Sequence, residues 1–252
     1  MKLKKDRNNG IIIQARTNST RLPLKILLPV AGEPLILNIY SRIQNHFDLP
    51  IIIATTDNPK DDNLAAMLMN RNIAVFRGDE VHVLNRFIEA SNVFGITDII
   101  RICADNPFLD FDFLDQLISV WKKDPESDYI SFEFNNKPVI LSHFGVFAEI
   151  VKLSALEKVA SLFPDIDIYK EHITNGVYMN PLIFKIRLIN LDKELTPFEG
   201  IRLTIDTKED FERITELIAE LKSTKFKEIA NFILSNPRML KGMKETILEN
   251  SK

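Results

Sequence analysis

Apolar residues recur along this chain with two alternating periods. Ile11–Ala15, Ile51–Thr55, Ile73–Phe76 and Ile99–Ile102 are short, almost unbroken apolar runs. Runs of this length suit strands buried on both faces. Between them the spacing becomes helical. Leu35, Ile39 and Ile43 share one face, Leu64, Met67 and Leu68 a second, and Val81, Leu84 and Ile88 a third. Strands alternating with helices predict βαβ units and a parallel sheet. Leu114, Leu117, Ile118 and Trp121 add a further helix, for which Asp110 or Asp112 is a suitable N-cap.

The regularity breaks at Asp128. YISFEF alternates as a strand does, Val139–Ile150 has room for another, and Pro138, Pro164, Pro181 and Pro197 punctuate the region. Residues 128–197 therefore read as loops and short strands over a pocket. A strand predicted at Ile201–Ile205 leads into Asp206. A helix follows with Phe211, Ile214, Leu217, Ile218 and Leu221 turned inward. From Ser223 the pattern predicts one or two amphipathic helices, interrupted at Pro237. Residues 1–9 are polar and read as a frayed tail. No repeat or low-complexity linker divides the chain, so residues 1–252 are expected to form one α/β domain.

Composition narrows the class. At 252 residues and 45% hydrophobic, the chain can bury a sizeable core. A net charge of -3 gives no basic footprint for nucleic acid. The single cysteine, Cys103, excludes an internal disulfide framework and a cysteine-rich zinc site. No apolar run approaches the roughly 20 residues of a membrane span. The basic start MKLKKDR is followed by only Ile11–Ile13, too short for a signal sequence. A soluble cytoplasmic protein is expected, without membrane or nucleic-acid partners.

Candidate chemistry gathers after the first strand. Arg16, Ser19, Arg21 and Lys25 lie within ten residues of one another. A cationic loop between a first strand and a helix is where an open α/β sheet binds phosphates. The loop matches neither G-x-G-x-x-G nor G-x-x-x-x-G-K-[ST], and glycine is absent from Gln14 to Ala31. Side chains must therefore hold any phosphate. A plain solvated basic loop is the alternative. Asp105 follows the strand IIRI closely, and Asp206 follows IRLTI. Two carboxylates at strand ends beside a polyphosphate loop suit Mg²⁺, which takes one or two protein carboxylates plus phosphate oxygens and waters. Helix capping or an ordinary turn would explain either aspartate alone. His172 is a lone candidate beside Glu171, and a lone histidine is more often structural. His46, His82 and His143 form no metal-ligand spacing. Cys103 reads as a small core residue.

Several segments together resemble the cytidylyltransferases of the spore coat polysaccharide type, with CMP-deoxyoctulosonate and CMP-sialic acid synthetases as more distant relatives. They are QARTNSTRLPLKILLPVAGEPL (14–35), ATTDNPKDD (54–62), VFRGDEVHVLNRF (75–87), RICADNPFLD (101–110), EHIT (171–174) and RLTIDTKEDF (202–211). The resemblance implies a nucleotide-diphospho-sugar-transferase-like, Rossmann-like sheet flanked by helices. It implies transfer of CMP from CTP to a sugar, sugar acid or polyol, with release of pyrophosphate. Surface polysaccharide or glycoconjugate biosynthesis is the implied setting.

Residue by residue, Ala15, Arg16, Ser19, Arg21 and Lys25 match the substrate loop, with Arg16 and Lys25 catalytic. Asp105 and Asp206 match catalytic Mg²⁺ ligands. Arg77 and Arg86 fall in the segment near base and acceptor, and Glu171 and His172 in the acceptor region. The chain departs from the pattern at Asn18, Leu24 and Ala104, where glycine is usual, at Asn106, and at Glu33, where a basic residue is usual. A homodimer through 128–197 is expected, on the apolar stretch Phe132, Phe134, Val139, Ile140, Leu141, Phe144, Val146 and Phe147. An internal sheet layer is the alternative. A metal-dependent glycosyltransferase of the same fold and a non-catalytic nucleotide-binding relative are competing functions.

Overall fold

A computed structural model describes residues 8–250. The elements in chain order are β1 (Asn9–Gln14), β2 (Pro29–Val30), β3 (Glu33–Pro34), α1 (Leu35–His46), β4 (Ile51–Thr56), α2 (Asp62–Met69), β5 (Ala74–Gly78), α3 (Val83–Phe94), β6 (Asp98–Cys103) and α4 (Phe111–Lys123). They continue with β7 (Tyr129–Phe134), β8 (Lys137–Pro138), β9 (Glu149–Lys152), α5 (Leu153–Leu162), α6 (Asp167–Glu171), α7 (Asn175–Tyr178), β10 (Ile186–Asn190) and α8 (Asp192–Leu195). The chain ends in α9 (Lys208–Glu220), α10 (Phe226–Leu234) and α11 (Pro237–Asn250). Of the tail expected at 1–9, residues 1–7 lie outside the described residues. Asn8 is tied to Thr97 and Gly95, and Asn9 already belongs to β1.

The main sheet runs β10-β7-β9-β6-β1-β4-β5, with β8 beside β7. β5, β4, β1 and β6 are mutually parallel, while β9 enters antiparallel between β6 and β7. The isoleucine runs follow from this layering. Ile11 and Ile13 enter one core layer and Ile12 the other, so every residue of the run meets an apolar cover. α3, α5 and α7 bury Phe87, Leu156 and Val177 on one face. α1, α4, α9 and α10 bury Ile39, Leu117, Leu217 and Ile229 on the other. Asp110 caps α4 by accepting from Asp112 N–H at 2.8 Å, and it also accepts from Phe226 N–H at 2.7 Å, which ties α10 to α4.

Three expectations need correction. Val81 is 69% exposed and precedes α3, because the helix starts only after the Asp79 carboxylate has accepted from the Val81 and His82 amides. The predicted strand at 201–205 has no strand partner. It is extended backbone laid across the sheet end, with Leu203 N–H donating to His143 O at 3.1 Å and Ile205 N–H to Asp105 O at 2.9 Å. Its alternation is real, since Ile201, Leu203 and Ile205 are buried in the core. The phenylalanine-rich stretch is internal: Phe132, Phe134, Val139, Phe144, Val146 and Phe147 are all buried in one core cluster. Leu141 of the same stretch is 53% exposed, and Ile140 is half-buried. Further exposed apolar side chains of the 128–197 section are Leu162, Ile166, Ile168, Met179, Leu182 and Ile183 around α5–α7.

Gly145 lets the 201–206 segment lie so close. It has φ +64°, and a Cβ there would stand 2.7 Å from Thr204 N and 2.8 Å from Leu203 C. Gly145→Ala is expected to cost about 2 kcal/mol or more, from the left-handed backbone and the clash together. Urea denaturation measures the loss. A variant as stable as the parent would mean that the segment moves away freely.

Candidate active site

The strand succession breaks between β1 and β6: from β1 the chain moves on to β4 and β5, then crosses back to place β6 on the other edge of β1. A crevice opens at such a switch point, beyond the carboxyl ends of the strands. Here Gln14 and Cys103, the last residues of β1 and β6, are registered side by side. A cleft of about 330 Å³ lies over them, lined by Gln14, Arg16, Ser19, Thr20, Arg21 and Lys25 from the β1 end. Arg101, Cys103, Ala104 and Asp105 line it from β6, and Val83, Glu171, His172 and Asp206 complete it. A side chamber shares Arg16 and Glu171 with the cleft and adds Glu80, His82 and Lys170.

Lys25 sits at its centre. Its Nζ is 2.8 Å from Asp105 Oδ2, 2.8 Å from Asp206 Oδ1 and 2.9 Å from Ile205 O. Burial alone would pull the ammonium pKa down, but Asp105 and Asp206 outweigh it and hold it above the ordinary value. Asp206 shows the converse. Burial favours its neutral form, yet Lys25, Arg21 and Arg202 keep it below the usual carboxylate range. Three oxygens thus converge on one cation position. Two carboxylates and a carbonyl fit a hard divalent ion that completes its shell with phosphate and water. All three donors are oxygens, which suit magnesium better than zinc; among the described residues no group of three or more His, Cys, Asp or Glu side chains is placed to hold a metal ion.

The capping alternative for Asp206 fails on geometry. Thr207 caps α9 in a reciprocal box with Asp210, leaving the Asp206 carboxylate to the cleft. Arg202 holds that carboxylate from behind. Its Nη2 donates to Asp206 Oδ2 at 3.0 Å, while its Nε and Nη2 grip both oxygens of Asp210 at 2.9 and 2.8 Å. Its Nη1 meets His143 Nδ1 at 2.7 Å. Arginine only donates, so this nitrogen accepts and His143 carries its proton on Nε2. Burial, then the Arg202 charge, pushes the His143 pKa below the ordinary value.

The cationic loop is anchored at both ends. Thr17 donates its N–H and hydroxyl to Asp61 Oδ1 at 2.8 and 2.5 Å, and Thr56 donates to Asp61 Oδ2. At the far end Arg21 reaches Asp206 Oδ2 at 3.3 Å and Asn250 Oδ1 of α11 at 2.9 Å. Leu24, where glycine is usual, takes φ 60° with its side chain 53% exposed. Asn18 is not in that conformation. Its amide donates to Glu80 Oε1 at 3.1 Å, and Glu80 also takes Asn58, so one carboxylate spans the loop and the β4 end.

The floor is a second buried network. Arg101 donates to Glu149 Oε1 at 2.6 Å and to Gln14 Oε1 at 3.1 Å. Glu149 also takes the Tyr129 hydroxyl at 2.5 Å and the Thr174 hydroxyl at 3.0 Å. It thereby fixes the short segment after Glu171 and His172. Burial pushes the Cys103 thiol up to about 11, so it stays protonated and inert at neutral pH.

Among the sequence candidates, Arg16, Ser19, Arg21, Lys25, Asp105, Asp206, Glu171 and His172 all line the cleft. Ala15 is buried beneath the loop, its N–H on Ala54 O. Arg77 and Arg86 are not brought to the cleft surface. Arg77 pairs with Asp62 and donates to Thr56 O and Asn58 O, and Arg86 is fully buried on Asp79 O. Sequence reasoning missed Asp61, Arg101, Glu149, Arg202 and Asp210. Arg101 and Arg202 did carry a signal, since an arginine inside a buried apolar run requires a buried acid.

A mostly parallel α/β fold with a cation-rich cleft at its switch point is the class this geometry defines. The family model described as "Cytidylyltransferase" matches residues 10–239, and the chain belongs to that family. It is 34% identical over 243 residues to the uncharacterized protein MJ1063 of Methanocaldococcus jannaschii, covering 95% of this chain and 96% of that one. It is 34% identical over 211 residues to the spore coat polysaccharide biosynthesis protein SpsF of Bacillus subtilis, covering 82% and 84%. The solved structure of a cytidylyltransferase from Leptospira borgpetersenii superposes with a TM-score of 0.80 at 27% identity, over 93% of this chain and 97% of that one.

Leu24→Gly should raise stability by about 0.5–1 kcal/mol. It relieves a left-handed leucine at roughly 1–2 kcal/mol, less the freedom glycine adds to the unfolded chain. The urea midpoint should rise with an unchanged slope, whereas a drop would mean that Leu24 packs despite its exposure.

His143 gives a pH dependence. The unfolded chain takes up a proton near the ordinary histidine value of about 6.5, which the native state resists. Stability should therefore fall as pH drops from about 7.5 to 5.5, by at most about 1.4 kcal/mol per unit for this group. His143→Gln, whose carbonyl still accepts from Arg202, should flatten that slope in denaturation series. An unchanged slope would remove His143 from the account.

Proposed function

We propose that this cytidylyltransferase transfers CMP from CTP to a sugar-like acceptor and releases pyrophosphate, in surface polysaccharide or glycoconjugate synthesis. One observation carries the reading: three cations of a single loop face two carboxylates across one cleft at the β1 and β6 ends. Arg16, Arg21 and Lys25 match a triphosphate, whereas a nucleotide diphosphate sugar needs fewer fixed cations. The name of the SpsF relative supports the polysaccharide setting.

Asp105 and Asp206 would hold Mg²⁺, which supplies Lewis-acid polarisation at the reacting phosphate. The chain's own residues do the rest. Arg16 and Arg21 orient the outer phosphates and neutralise charge as pyrophosphate leaves, with no reorganisation at the moment of reaction. Arg202 and Arg21 keep Asp206 ionised and aimed. Glu171 and His172 form the acceptor wall above the Arg101 and Gln14 floor, and hydroxyl-bearing acceptors fit so polar a lining. The proposed setting is cytoplasmic, where CTP is made. No helix among the described residues is long and apolar enough to cross a membrane. The proposed homodimer would use the exposed apolar side chains around α5–α7.

The direct test is pyrophosphate release from each nucleoside triphosphate, with Mg²⁺ and a panel of sugars, sugar acids and polyols. CTP-selective, acceptor-dependent release is expected. Release that is indifferent to the base, or sugar transfer from a nucleotide sugar instead, would replace the reading. Asp105→Asn and Asp206→Asn should each fold and lose roughly 100-fold or more in turnover, the scale of other lost electrostatic stabilisers. Near-parental rates at saturating Mg²⁺ would sink the assignment of these carboxylates. Arg21→Ala should weaken CTP far more than CMP in calorimetry, because its proposed partners are the outer phosphates; an equal loss would move Arg21 to the base or ribose.

A further inference from the structure

Lys25 cannot serve two partners at once. An ammonium has three N–H donors, and all three are occupied, by Asp105, Asp206 and the Ile205 carbonyl. Its side chain is only 12% exposed, so water does not compete for them. The oxygens around Nζ are also those a divalent ion would need. Two cations cannot share them, since Mg²⁺ sits at about 2.0–2.1 Å from its ligands and would repel an ammonium at hydrogen-bond distance.

We infer that Lys25 is an internal cation that closes the divalent site in the resting protein, and that the triphosphate opens the site by drawing Lys25 out. This rests on the reading of Asp105 and Asp206 as metal ligands and concerns how that site is controlled. A lysine suits the task because its charge is compact and its stem flexible, where a planar guanidinium would be locked in place. Arg202 and Arg21 hold the other oxygen of Asp206, so Oδ1 keeps its aim when Lys25 leaves. The departing ammonium leaves two carboxylates facing one point, which strengthens the call for a metal there. The outer phosphates receive the lysine. Triphosphate and metal therefore bind with positive coupling, and by linkage each raises the affinity for the other equally.

The test is Mn²⁺ binding by electron paramagnetic resonance, without nucleotide, for the parent and for Lys25→Met. The variant should bind one Mn²⁺ at least about tenfold more tightly, within the range of about 5–150-fold typical of such couplings. Adding Asp105→Asn to Lys25→Met should abolish the gain. A parent that binds free Mn²⁺ as tightly as Lys25→Met overturns the inference while leaving the metal assignment intact. If neither protein binds Mn²⁺, even with CTP present, the metal assignment itself falls and the inference with it.

Should Lys25→Met fail to fold, ¹⁵N resonances of lysine ammonium groups in the parent protein decide. The Lys25 signal should persist in Mg²⁺ alone and move only when CTP is added. Movement in Mg²⁺ alone overturns the inference.

Discussion

The parallel pairing of β1 with β6 is the constraint from which the rest follows. Gln14 lies beside Cys103, so the two loops that leave these strands must start within one strand spacing of each other. One loop carries Arg16, Ser19, Thr20, Arg21 and Lys25 into the cleft lining, and the other carries Asp105. The strand succession breaks between β1 and β6, and the cleft lies between the two loops at that break. Asp206 comes from a third place. The backbone bond from Ile205 N–H to Asp105 O brings it there, and that contact is possible because Gly145 presents no side chain.

Buried charge supports this geometry from below. Arg202 with Asp210, Arg101 with Glu149, and Asp61 with its threonines each place ionised groups where water is scarce. Removing one member of such a pair typically costs about 3–5 kcal/mol, because the partner is left charged and unsolvated. Each cluster sits directly behind a cleft residue: Arg202 behind Asp206, Glu149 behind Arg101 and the 171–174 segment, and Asp61 behind the start of the cationic loop. The networks thus fix side-chain orientations that exposed ion pairs could not hold. Arg202, Asp210, Glu149 and Asp61 orient cleft residues without lining the cleft themselves.

The departures from the family pattern have unequal physical weight. Leu24 carries real backbone strain, at a residue whose neighbour Lys25 has three bonds to satisfy. Those bonds hold the turn that Leu24 alone would disfavour. Asn18 has found a different use, as one end of a bridge through Glu80 to Asn58. Ala104 is simply buried. The cations and carboxylates all keep their places in the cleft.

Much of this architecture was legible in the chain itself. Strands buried on both faces must be apolar throughout, so β1, β4 and β6 announced themselves, and the helical spacing between them implied a parallel sheet. The loop cations and both aspartates were legible as a set, because cations after β1 and two carboxylates after buried apolar runs suit one polyphosphate site better than separate turns and caps. The sequence could not say that residues 201–205 would lie as an unpaired segment, since burial on one side produces the same alternation as a strand. Nor could it say that the phenylalanines after Phe132 would be covered within one chain, because coverage depends on how α4, α10 and the sheet close over them. The joining of Lys25 to both carboxylates was likewise decided only by the tertiary structure. Hydrogen bonds between groups 80 and 181 residues apart have no local pattern, and they exist because β1, β6 and the 201–206 segment end at one point in space.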